Sequence, residues 1–460
     1  MRYTMTFLES TYDELLTHLW ADRTVEQAAY LLCRIVRSSN EVRLLIRSIW
    51  PVLAEDIEEA SGEHMKIASR SFRRVMKLAD QRGECFVFVH SHPEQVPFHS
   101  DQDDRTELAL FTTAYNRIHH DVVHASVVLS ARNRPVARVW LRDGSVAPIE
   151  LIRVIGRRFR FYSEGLAESS IPEFFDRQVR AFGKDVQLLL RRLTVGVVGV
   201  GGTGSAIVQQ LARLGVGKLL LSDGELFEAS NVNRVYGSRT VDQNVHKVKI
   251  AERAVAEMGI GTEIRVLGKP ITFSSALKDF RECDMIFGCT DDEWGRALLT
   301  RFAIYYAIPV FDMGVRIRSE NGLVETIQGR VTTLMPSKAC LFCRNRISPE
   351  RVKAESLKVL NPTQYQALLD EGYVPELGDI APAVIPFTTV IAGAAVNEFL
   401  HHLTGYLGED RQSSEILHLF STSRVRTNDR HPTEACYCGN AYYINRGDSS
   451  LFLDTTWRSE

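Results

Sequence analysis

The feature that most constrains this chain is an apolar strand that runs directly into a glycine-rich turn. The run "LTVGVVGV" ends at Val200, and the "GGTGS" that follows it opens a helix. Four further apolar runs come next, separated by helical stretches: "KLLLSDGE", "EIRVLG", "CDMIFGCTD" and "IPVFDMGVRI". Strands that alternate with helices build a parallel sheet with helices on its faces. The sequence therefore predicts an α/β fold with a doubly wound sheet over residues 191–445.

The first 150 residues show a different order of elements. We predict a helix from Val25 to Val36, extended runs at 41–50 and 84–92, a helix at about 104–118, and strands at "ASVVLSA" and "ARVWLRD". This mixed order indicates an α+β domain over residues 1–150. Residues 151–190 are predicted to form a linker with an arginine-bearing docking helix, and residues 446–460 a C-terminal tail.

The charge balance excludes some partners. The 460 residues include 55 Lys and Arg and 57 Asp and Glu, so the chain as a whole does not attract nucleic acid or an anionic membrane. The N-terminus is acidic where a signal peptide needs a basic start, and no apolar run approaches the ~18 residues of a membrane span. We therefore expect a soluble cytoplasmic protein with no membrane and no nucleic-acid partner.

Two histidines, His90 and His92, stand at alternate positions of the predicted strand "CFVFVHSH". Side chains at positions i and i+2 of a strand project to the same face, so both imidazoles can converge on one ion. Asp103, expected near the start of the next helix, adds an oxygen ligand. Two histidines and a carboxylate leave a tetrahedral zinc with one open position for water, which is typical of a hydrolytic site. Such a water needs a proton acceptor, and Glu26 in the predicted helix "TVEQAAYLLC" is the candidate.

The motif H-S-H-P, continued after seven residues by S-x-x-D, resembles the JAMM metallopeptidases. Members of that family cleave ubiquitin-like proteins from their targets or trim their tails. The resemblance implies that His90, His92 and Asp103 bind zinc. It also implies that Ser100 stabilises the tetrahedral oxyanion and that Glu26 is the general acid/base. The family has a glycine-rich continuation after its glutamate, which reads "AAYLLCR" here, so Glu41 remains a rival for the base.

Glycines crowd the turn after the first strand of the second domain, at Gly199, Gly201, Gly202 and Gly204. They allow a tight turn and let backbone N–H groups approach a phosphate at the positive end of the helix. Asp223 closes the next strand 19 residues beyond Gly204, where an acidic side chain bonds a ribose hydroxyl. This pattern alone fits NAD as well as ATP.

Charged side chains further along the chain favour ATP. They occur in "ASNVNRVYG", in "HKVKIAERAV" and at the end of the strand "MIFGCTDD", and they are Asn231, Arg234, Lys247, Lys249, Asp291 and Asp292. Hydride transfer has no use for several cations and an acid around the phosphates. Nucleotidyl transfer does, because charge builds on the α-phosphate and on the leaving pyrophosphate, and a carboxylate can hold Mg²⁺.

These residues, together with "FDRQVRAFGKDVQLLL" ahead of the first strand, resemble the ThiF family of adenylating enzymes, which is related to the ubiquitin-activating enzyme. The resemblance implies a Rossmann-like domain that uses ATP and Mg²⁺. It implies a nucleotide cradle on Gly199 to Gly204, ribose on Asp223, phosphates on Asn231, Arg234 and Lys249, Mg²⁺ on Asp291, and a finger supplied in trans on Arg177. Lys249 matches the family by position better than Lys247. An arginine that reaches into another subunit implies a homodimer.

Four of the eight cysteines fall in two close pairs, Cys340/Cys343 and Cys436/Cys438. The C-x-x-C spacing of the first pair suits two thiolates on one tetrahedral zinc, and the second pair completes four ligands. The resembling family uses two C-x-x-C pairs, whereas the second pair here is one residue apart, so His431 is an alternative ligand. We expect a structural zinc, and we expect the remaining four cysteines to be structural.

No cysteine lies between Arg344 and Ala435, where relatives that form a thioester need one. The activated acyl group is therefore predicted to leave as an adenylate. The leading prediction is a bifunctional enzyme that cleaves a ubiquitin-like protein and adenylates its C-terminal glycine for conjugation, with a conjugating enzyme as a further partner. The alternatives are activation of a sulfur-carrier protein for cofactor or amino-acid biosynthesis, and a non-catalytic scaffold that binds ubiquitin-like domains.

Overall fold

The computed structural model describes residues 1–62, 64–93, 98–130, 134–163, 170–377, 382–409, 411, 413–449 and 451–457. Residues 94–97 of the spacer in the first motif, and residues 450 and 458–460 of the predicted tail, lie outside the described residues. The chain separates into two compact units. One comprises Met1–Gly165 with Asn445–Asp448, and the other Leu166–Ile444 with Ser449–Glu460.

The first unit is built around one large sheet. Its elements are β1 (Arg2–Leu8), α1 (Glu9–Leu19), β2 (Ala28–Arg37), β3 (Glu41–Pro51), β4 (Ile57–Ala60), β5 (Met65–Ile67), α2 (Ser69–Arg82), β6 (Cys85–His92), α3 (Asp101–Arg117), β7 (His124–Ser130), β8 (Pro135–Trp140), β9 (Val146–Ile155) and β10 (Arg160–Tyr162). The strand order is β1-β3-β2-β6-β7-β8-β9-β10, and β1 also pairs with β9, so the sheet closes on itself.

Strand β6 separates two apolar clusters. Val87 and Val89 join the cluster that contains α1 residues, and Phe86 and Phe88 join the cluster that contains residues of α2 and α3. Because side chains alternate along a strand, the two histidines at its end continue the second series. They therefore face the side of the sheet on which α3 packs.

The predicted helix from Val25 to Val36 is wrong, because Ala28–Arg37 form strand β2, antiparallel to both β3 and β6. The first six residues of this strand are all buried. A strand covered on both faces reads as a continuous apolar run, so it shows no alternation that distinguishes it from a buried helix. The strands predicted around β3, β6, β7 and β8 and the helix predicted around α3 are confirmed.

The second unit contains the predicted succession of strands and helices. Its elements are α4 (Asp176–Phe182), α5 (Lys184–Leu190), β11 (Thr194–Val198), α6 (Gly202–Arg213), β12 (Lys218–Ser222), α7 (Lys247–Ala256), β13 (Glu263–Leu267), α8 (Ser274–Asp279), β14 (Met285–Gly288), α9 (Glu293–Tyr306), β15 (Val310–Glu320), β16 (Leu323–Leu334), α10 (Pro349–Leu360), α11 (Pro362–Asp370), α12 (Ile385–Thr404), β17 (Glu415–Leu419) and β18 (Arg424–Asn428).

The sheet of this unit has the order β13-β12-β11-β14-β15-β16-β17-β18. The first five strands are parallel and the last three run antiparallel to their neighbours. The order reverses between β11 and β14, and in such sheets ligands bind at the carboxyl ends of the strands beside that point. The predicted doubly wound α/β fold is confirmed. Among the described residues, no helix is both long and apolar enough to cross a membrane.

Candidate active sites

The first candidate site gathers two imidazoles and a carboxylate at the end of β6. The Nε2 atoms of His90 and His92 lie 3.0 Å apart. Asp103 places Oδ1 3.1 Å from Nε2 of His90, and Oδ2 3.6 Å from Nε2 of His92. Ligand atoms ~2.0–2.1 Å from a tetrahedral zinc stand ~3.3 Å from one another, so these separations and this donor set fit a zinc ion.

The start of α3 presents Asp103 to the histidines. Ser100 is the N-cap: its Oγ accepts from the Asp103 backbone N–H, while Oδ2 of Asp103 accepts from the Ser100 N–H at 2.7 Å and its hydroxyl at 2.8 Å. This reciprocal pair is a capping box, which fixes the first turn of a helix. Burial opposes ionisation of Asp103, but hydrogen bonds from His90 and His92 outweigh it and hold its pKa well below the usual range. The oxyanion role of Ser100 stays a prediction.

Glu26 reaches the site from the loop before β2, not from a helix. Its backbone N–H donates to the carbonyl of Ser61 at 2.8 Å, and its Oε1 lies 3.9 Å from Nε2 of His92. The residue is only 7% exposed. Desolvation raises the pKa of this carboxyl group, while electrostatic attraction to His90 and His92 opposes the rise. A buried carboxylate beside the ligand set fits the predicted proton acceptor, and the acid/base role of Glu26 stays a prediction.

The structure brings the rival, Glu41, into a different environment. Its carboxylate accepts from Arg43 at 3.0 Å and from Arg153 at 3.1 Å, and also from the Thr4 hydroxyl. Burial alone would raise the pKa of Glu41, but the arginines and the hydroxyl outweigh it and lower the pKa to about 2. Glu41 therefore serves as the anion of a buried ion-pair network.

The second candidate site begins at the glycine turn between β11 and α6. The glycines of this turn differ in the space around them. Gly199 has φ +85°, and a Cβ on it would lie 2.8 Å from the Cys289 backbone. A Cβ on Gly204 would lie 1.8 Å from the Gly199 carbonyl oxygen. Around Gly201, by contrast, no described atom beyond its own chain neighbours would lie within 4 Å of a Cβ. The first two positions are dictated by packing, and the third opens onto free space suited to a ligand.

Asp223 follows β12 and is oriented by the backbone. Its Oδ2 accepts from the N–H of Val200, inside the glycine turn, at 2.7 Å, and its Oδ1 accepts from the N–H of Glu225 at 2.8 Å. Burial raises the pKa of Asp223, and these two N–H groups oppose the rise. The carboxylate is thus held beside the turn, where the predicted contact with ribose requires it.

Arg234 and Asn231, both predicted to contact phosphate, lie in different surroundings. A Cβ on Gly202 would lie 3.4 Å from Cδ of Arg234, so the arginine side chain passes directly over the first residue of α6. Its Nη1 donates to the Ser230 carbonyl at 2.7 Å. Asn231 is 4% exposed, and its Oδ1 accepts from the Glu228 N–H at 3.3 Å. Its amide oxygen is thus part of a local cap, so the predicted phosphate contact of Asn231 stays a prediction.

The two lysines at the start of α7 are also separated by the structure. Lys247 is buried and its ammonium pairs with Glu225, close to Asp223. Lys249 is exposed, and its ammonium lies 2.9 Å from Glu252 in the same helix. The side chain of Lys249 is free to leave this solvent-exposed pair, whereas Lys247 is held.

Asp291 and Asp292 follow β14 at the same edge of the sheet. Asp292 is the N-cap of α9, and its carboxylate accepts from the Gly295 N–H and the Thr290 hydroxyl. Asp291 is exposed and has no hydrogen bond or ion pair among the described residues. A free carboxylate at the carboxyl edge of the sheet is what a Mg²⁺ ion with its waters requires, so Asp291 fits the predicted role.

Sequence reasoning missed Arg296, which fixes the backbone beneath this edge. Its Nε donates to the Thr290 carbonyl at 3.0 Å, and its Nη2 donates to the Met313 carbonyl at 3.1 Å. One guanidinium thereby joins the segment that follows β14 to strand β15. An arginine inside a helix has no local signal for such a role.

The four paired cysteines come together at a single point. Sγ of Cys340 lies 3.8 Å from that of Cys343 and 3.5 Å from that of Cys436, and Cys343 lies 3.6 Å from Cys438. Thiolates ~2.3 Å from a tetrahedral zinc stand ~3.8 Å apart, so the four sulfur atoms fit one zinc ion. His431 is exposed and is not among the clustered ligand atoms of the described residues.

Two further predictions concern Arg177 and the four unpaired cysteines, Cys33, Cys85, Cys283 and Cys289, which are expected to be structural. Desolvation raises the pKa of the Cys289 thiol and of the fully buried Cys33 thiol, which disfavours the thiolate that a nucleophile needs. Arg177 lies exposed on α4. Its predicted action on another subunit stays a prediction.

Comparison with known families identifies two regions of this chain. Residues 175–439, more than half of the chain, match the model of the ThiF family. The chain therefore belongs to the ThiF family. Residues 8–142 match the model described as prokaryotic homologs of the JAB domain. Both resemblances drawn from the sequence, JAMM-type at the N-terminus and ThiF after it, are confirmed.

Several named proteins are similar to parts of this chain. Ubiquitin-like modifier-activating enzyme 5 of Gallus gallus is 26% identical over 292 residues, which cover 58% of this chain and 67% of that protein. Adenylyltransferase and sulfurtransferase UBA4 of Eremothecium gossypii is 27% identical over 183 residues, which cover 39% and 40%. E. coli MccB, solved with AMPCPP and MccA, matches 61% of this chain and 78% of its own at 15% identity and a TM-score of 0.46. The chain spans 51–67% of the length of the first four curated relatives.

Proposed function

We propose that the second unit binds ATP and adenylates the C-terminal carboxylate of a ubiquitin-like or sulfur-carrier protein. The observation that carries the proposal is what meets at the carboxyl ends of β11, β12 and β14: an open glycine turn, a carboxylate fixed by two backbone N–H groups, a guanidinium over the turn, and an exposed aspartate. Membership of the ThiF family supports it, and so does similarity to enzymes named for activating ubiquitin-like modifiers and for adenylyl transfer.

The chemistry follows from these groups. A carboxylate oxygen of the protein substrate attacks the α-phosphorus of ATP, and the bond from that phosphorus to the bridging oxygen of the leaving pyrophosphate breaks. Arg234 and Lys249 would supply positive charge where negative charge builds, and the N–H groups of the first turn of α6 would face the bound phosphates. Asp291 would hold a Mg²⁺ ion, which offsets the charge of the triphosphate when bound.

The product is an acyl adenylate that leaves for another acceptor. No cysteine lies between Arg344 and Ala435, and burial disfavours the thiolate of Cys289. A sulfur-carrier substrate is therefore a full second candidate, because sulfide can attack the acyl carbon and release AMP, which leaves a thiocarboxylate. A persulfide would release AMP in the same way and give an acyl disulfide, which a thiol must then reduce to the thiocarboxylate. A thiocarboxylate product would identify that route, and a protein conjugate would identify a ubiquitin-like modifier.

We propose further that the first unit is a zinc peptidase for the same class of protein. His90, His92 and Asp103 would hold the ion, which when bound polarises a peptide carbonyl and activates a water molecule. Glu26 would take a proton from water and give it to the leaving amine. Cleavage after a terminal glycine frees the carboxylate that adenylation uses, so the two activities are chemically consecutive.

Each activity has a direct test. Purified protein, candidate small proteins that end in glycine, ATP and labelled pyrophosphate should give exchange of label into ATP; ATP binding without exchange for any candidate would favour the scaffold alternative. For the peptidase, a fusion of the small protein to a reporter should be cleaved, and Glu26→Gln should abolish cleavage. Glu41→Gln is the matched control, since it should lower stability without removing activity from the folded protein.

The homodimer is part of this proposal, because Arg177 would act on the neighbouring subunit. Arg177→Ala should lose exchange, and mixing it with Asp291→Ala should restore part of the activity through mixed dimers. A mixture that stays as inactive as the two separate variants would contradict action in trans.

A further inference from the structure

A network of polar side chains lies under α3, one helical turn beyond Asp103. Glu107 is 1% exposed. Its Oε2 accepts from Ser126 Oγ at 2.6 Å, from Nε and Nη2 of Arg138 at 3.0 and 2.7 Å, and from Nε1 of Trp140 at 2.8 Å. Ser126 belongs to β7, and the other two donors belong to β8. One carboxylate oxygen thus joins the helix to two strands.

The same network reaches the segment in front of the helix. Oγ of Ser126 lies 3.2 Å from Nε2 of His99, the residue directly before the N-cap. Nη1 of Arg138 also contacts Oδ1 of Asp104, in the first turn, at 2.5 Å. The beginning of α3 is therefore fixed at three successive levels: before the cap, in the first turn and in the second turn.

Strand β7, which carries Ser126, is also the neighbour of the histidine strand. In the parallel pairing of β6 with β7, Phe88 lies beside Ser126 and His90 beside Val128. The ring of Phe88 stacks on the ring of His90 with centroids 5.3 Å apart. The network thus fixes α3, which carries Asp103, to β7, the strand that pairs with the strand of His90 and His92.

We propose that Glu107 is a positioning residue for the zinc ligands, and that it sets the place of Asp103 relative to His90 and His92. The inference rests on the zinc site of the proposed peptidase. Residues four apart lie on the same face of a helix, so a rotation of α3 that releases Glu107 also displaces the Asp103 carboxylate. Metal ligands tolerate only ~0.5 Å of displacement, which makes the anchor consequential.

A purely structural role for Glu107 is the competing explanation, and the chain offers a matched comparison. Glu84 is also buried, at 2% exposed, and its Oε1 lies 3.2 Å from Arg47 and 3.7 Å from Arg34. It stands at the opposite end of β6, ~20 Å along the strand from His90. Loss of either carboxylate removes a buried anion from partly exposed arginines, but only Glu107 lies on α3.

The test measures metal affinity and stability on the same full-length preparations. Glu107→Gln, Ser126→Ala and the control Glu84→Gln are stripped of metal, titrated with Co²⁺ and unfolded by heat. Cobalt held by imidazole and carboxylate lacks the sulfur-to-metal charge-transfer band that the four cysteines produce, so the two sites are read separately in one chain. His92→Ala identifies the absorption of the first site.

We expect Glu107→Gln to weaken Co²⁺ binding at the first site about tenfold, Ser126→Ala to weaken it less, and Glu84→Gln to leave it unchanged despite a similar loss of thermal stability. Unchanged affinity in both network variants would overturn the proposal, and if Glu107→Gln does not fold, Ser126→Ala alone decides. Absence of any wild-type absorption that His92→Ala removes would also overturn it. A normal cobalt titration without cleavage of any reporter fusion would instead count against the peptidase and leave the positioning role intact.

Discussion

Asp291 and Asp292 are neighbours with opposite structural roles, and this contrast carries a sharp prediction. Asp292 caps α9, whereas Asp291 is exposed and unbonded among the described residues. Asp291→Asn should therefore change the free energy of unfolding by no more than ~0.5 kcal/mol. Asp292→Ala removes the cap and should cost about 1–2 kcal/mol, whereas Asp292→Asn keeps a capping oxygen and should cost little.

The expected effects on adenylation run in the opposite order. Loss of one preorganised charged group from such a site costs about 3–4 kcal/mol of transition-state stabilisation, which is a ~10²–10³-fold slower reaction. Asp291→Asn should slow exchange by that factor. Asp292→Asn should slow it by no more than about twofold, the equivalent of ~0.5 kcal/mol.

The assay pairs pyrophosphate exchange at saturating substrate protein with urea unfolding of the same samples. Measuring both quantities separates a lost ligand from a damaged helix start. The reasoning is refuted if Asp292→Asn loses exchange while Asp291→Asn keeps it, or if Asp291→Asn destabilises the unit as much as Asp292→Ala does.

Three other predictions follow from the geometry. Gly204→Ala should prevent folding because its Cβ would lie 1.8 Å from the Gly199 carbonyl oxygen, whereas Gly201→Ala should fold normally and bind ATP more weakly; circular dichroism and nucleotide titration check both. Cys438→Ser should lose one equivalent of bound zinc by metal analysis, and His431→Ala should keep it; the reverse would restore the histidine as a ligand. Glu41 has a folded pKa of about 2 against 4.5 for the free side chain, so its contribution of up to about 3 kcal/mol is present above pH 4.5 and disappears as the pH falls through 2. Glu41→Gln should flatten the acid side of the stability profile, and an unchanged profile would contradict the buried ion pair.

Patterns that act over a few residues were readable from the sequence alone. The alternation of His90 and His92 on a strand, the S-x-x-D start of α3 and the glycine turn after an apolar strand each depend on local backbone geometry. The repeated strand and helix pattern likewise determines a parallel sheet, because each connection must cross back over it. The fold class and the family could therefore be predicted from the sequence.

Tertiary structure decided which of several similar residues stands at a site. Glu26 and Glu41 have equal chemistry, but only the loop before β2 brings Glu26 to within 3.9 Å of His92, while three arginines surround Glu41. Strand β2 was misread as a helix for the same reason, since burial on both faces comes from neighbours distant in sequence.

The irregular spacing of Cys436 and Cys438 shows the same division. Sequence spacing did not decide whether the second pair binds zinc. Only the fold brings the sulfur atoms of Cys436 and Cys438 to 3.5 and 3.6 Å from those of Cys340 and Cys343, which lie about a hundred positions earlier in the chain. Local geometry is dictated by adjacent residues because few dihedral angles separate them. Contacts between distant residues depend on how whole elements pack, and no local pattern encodes that packing.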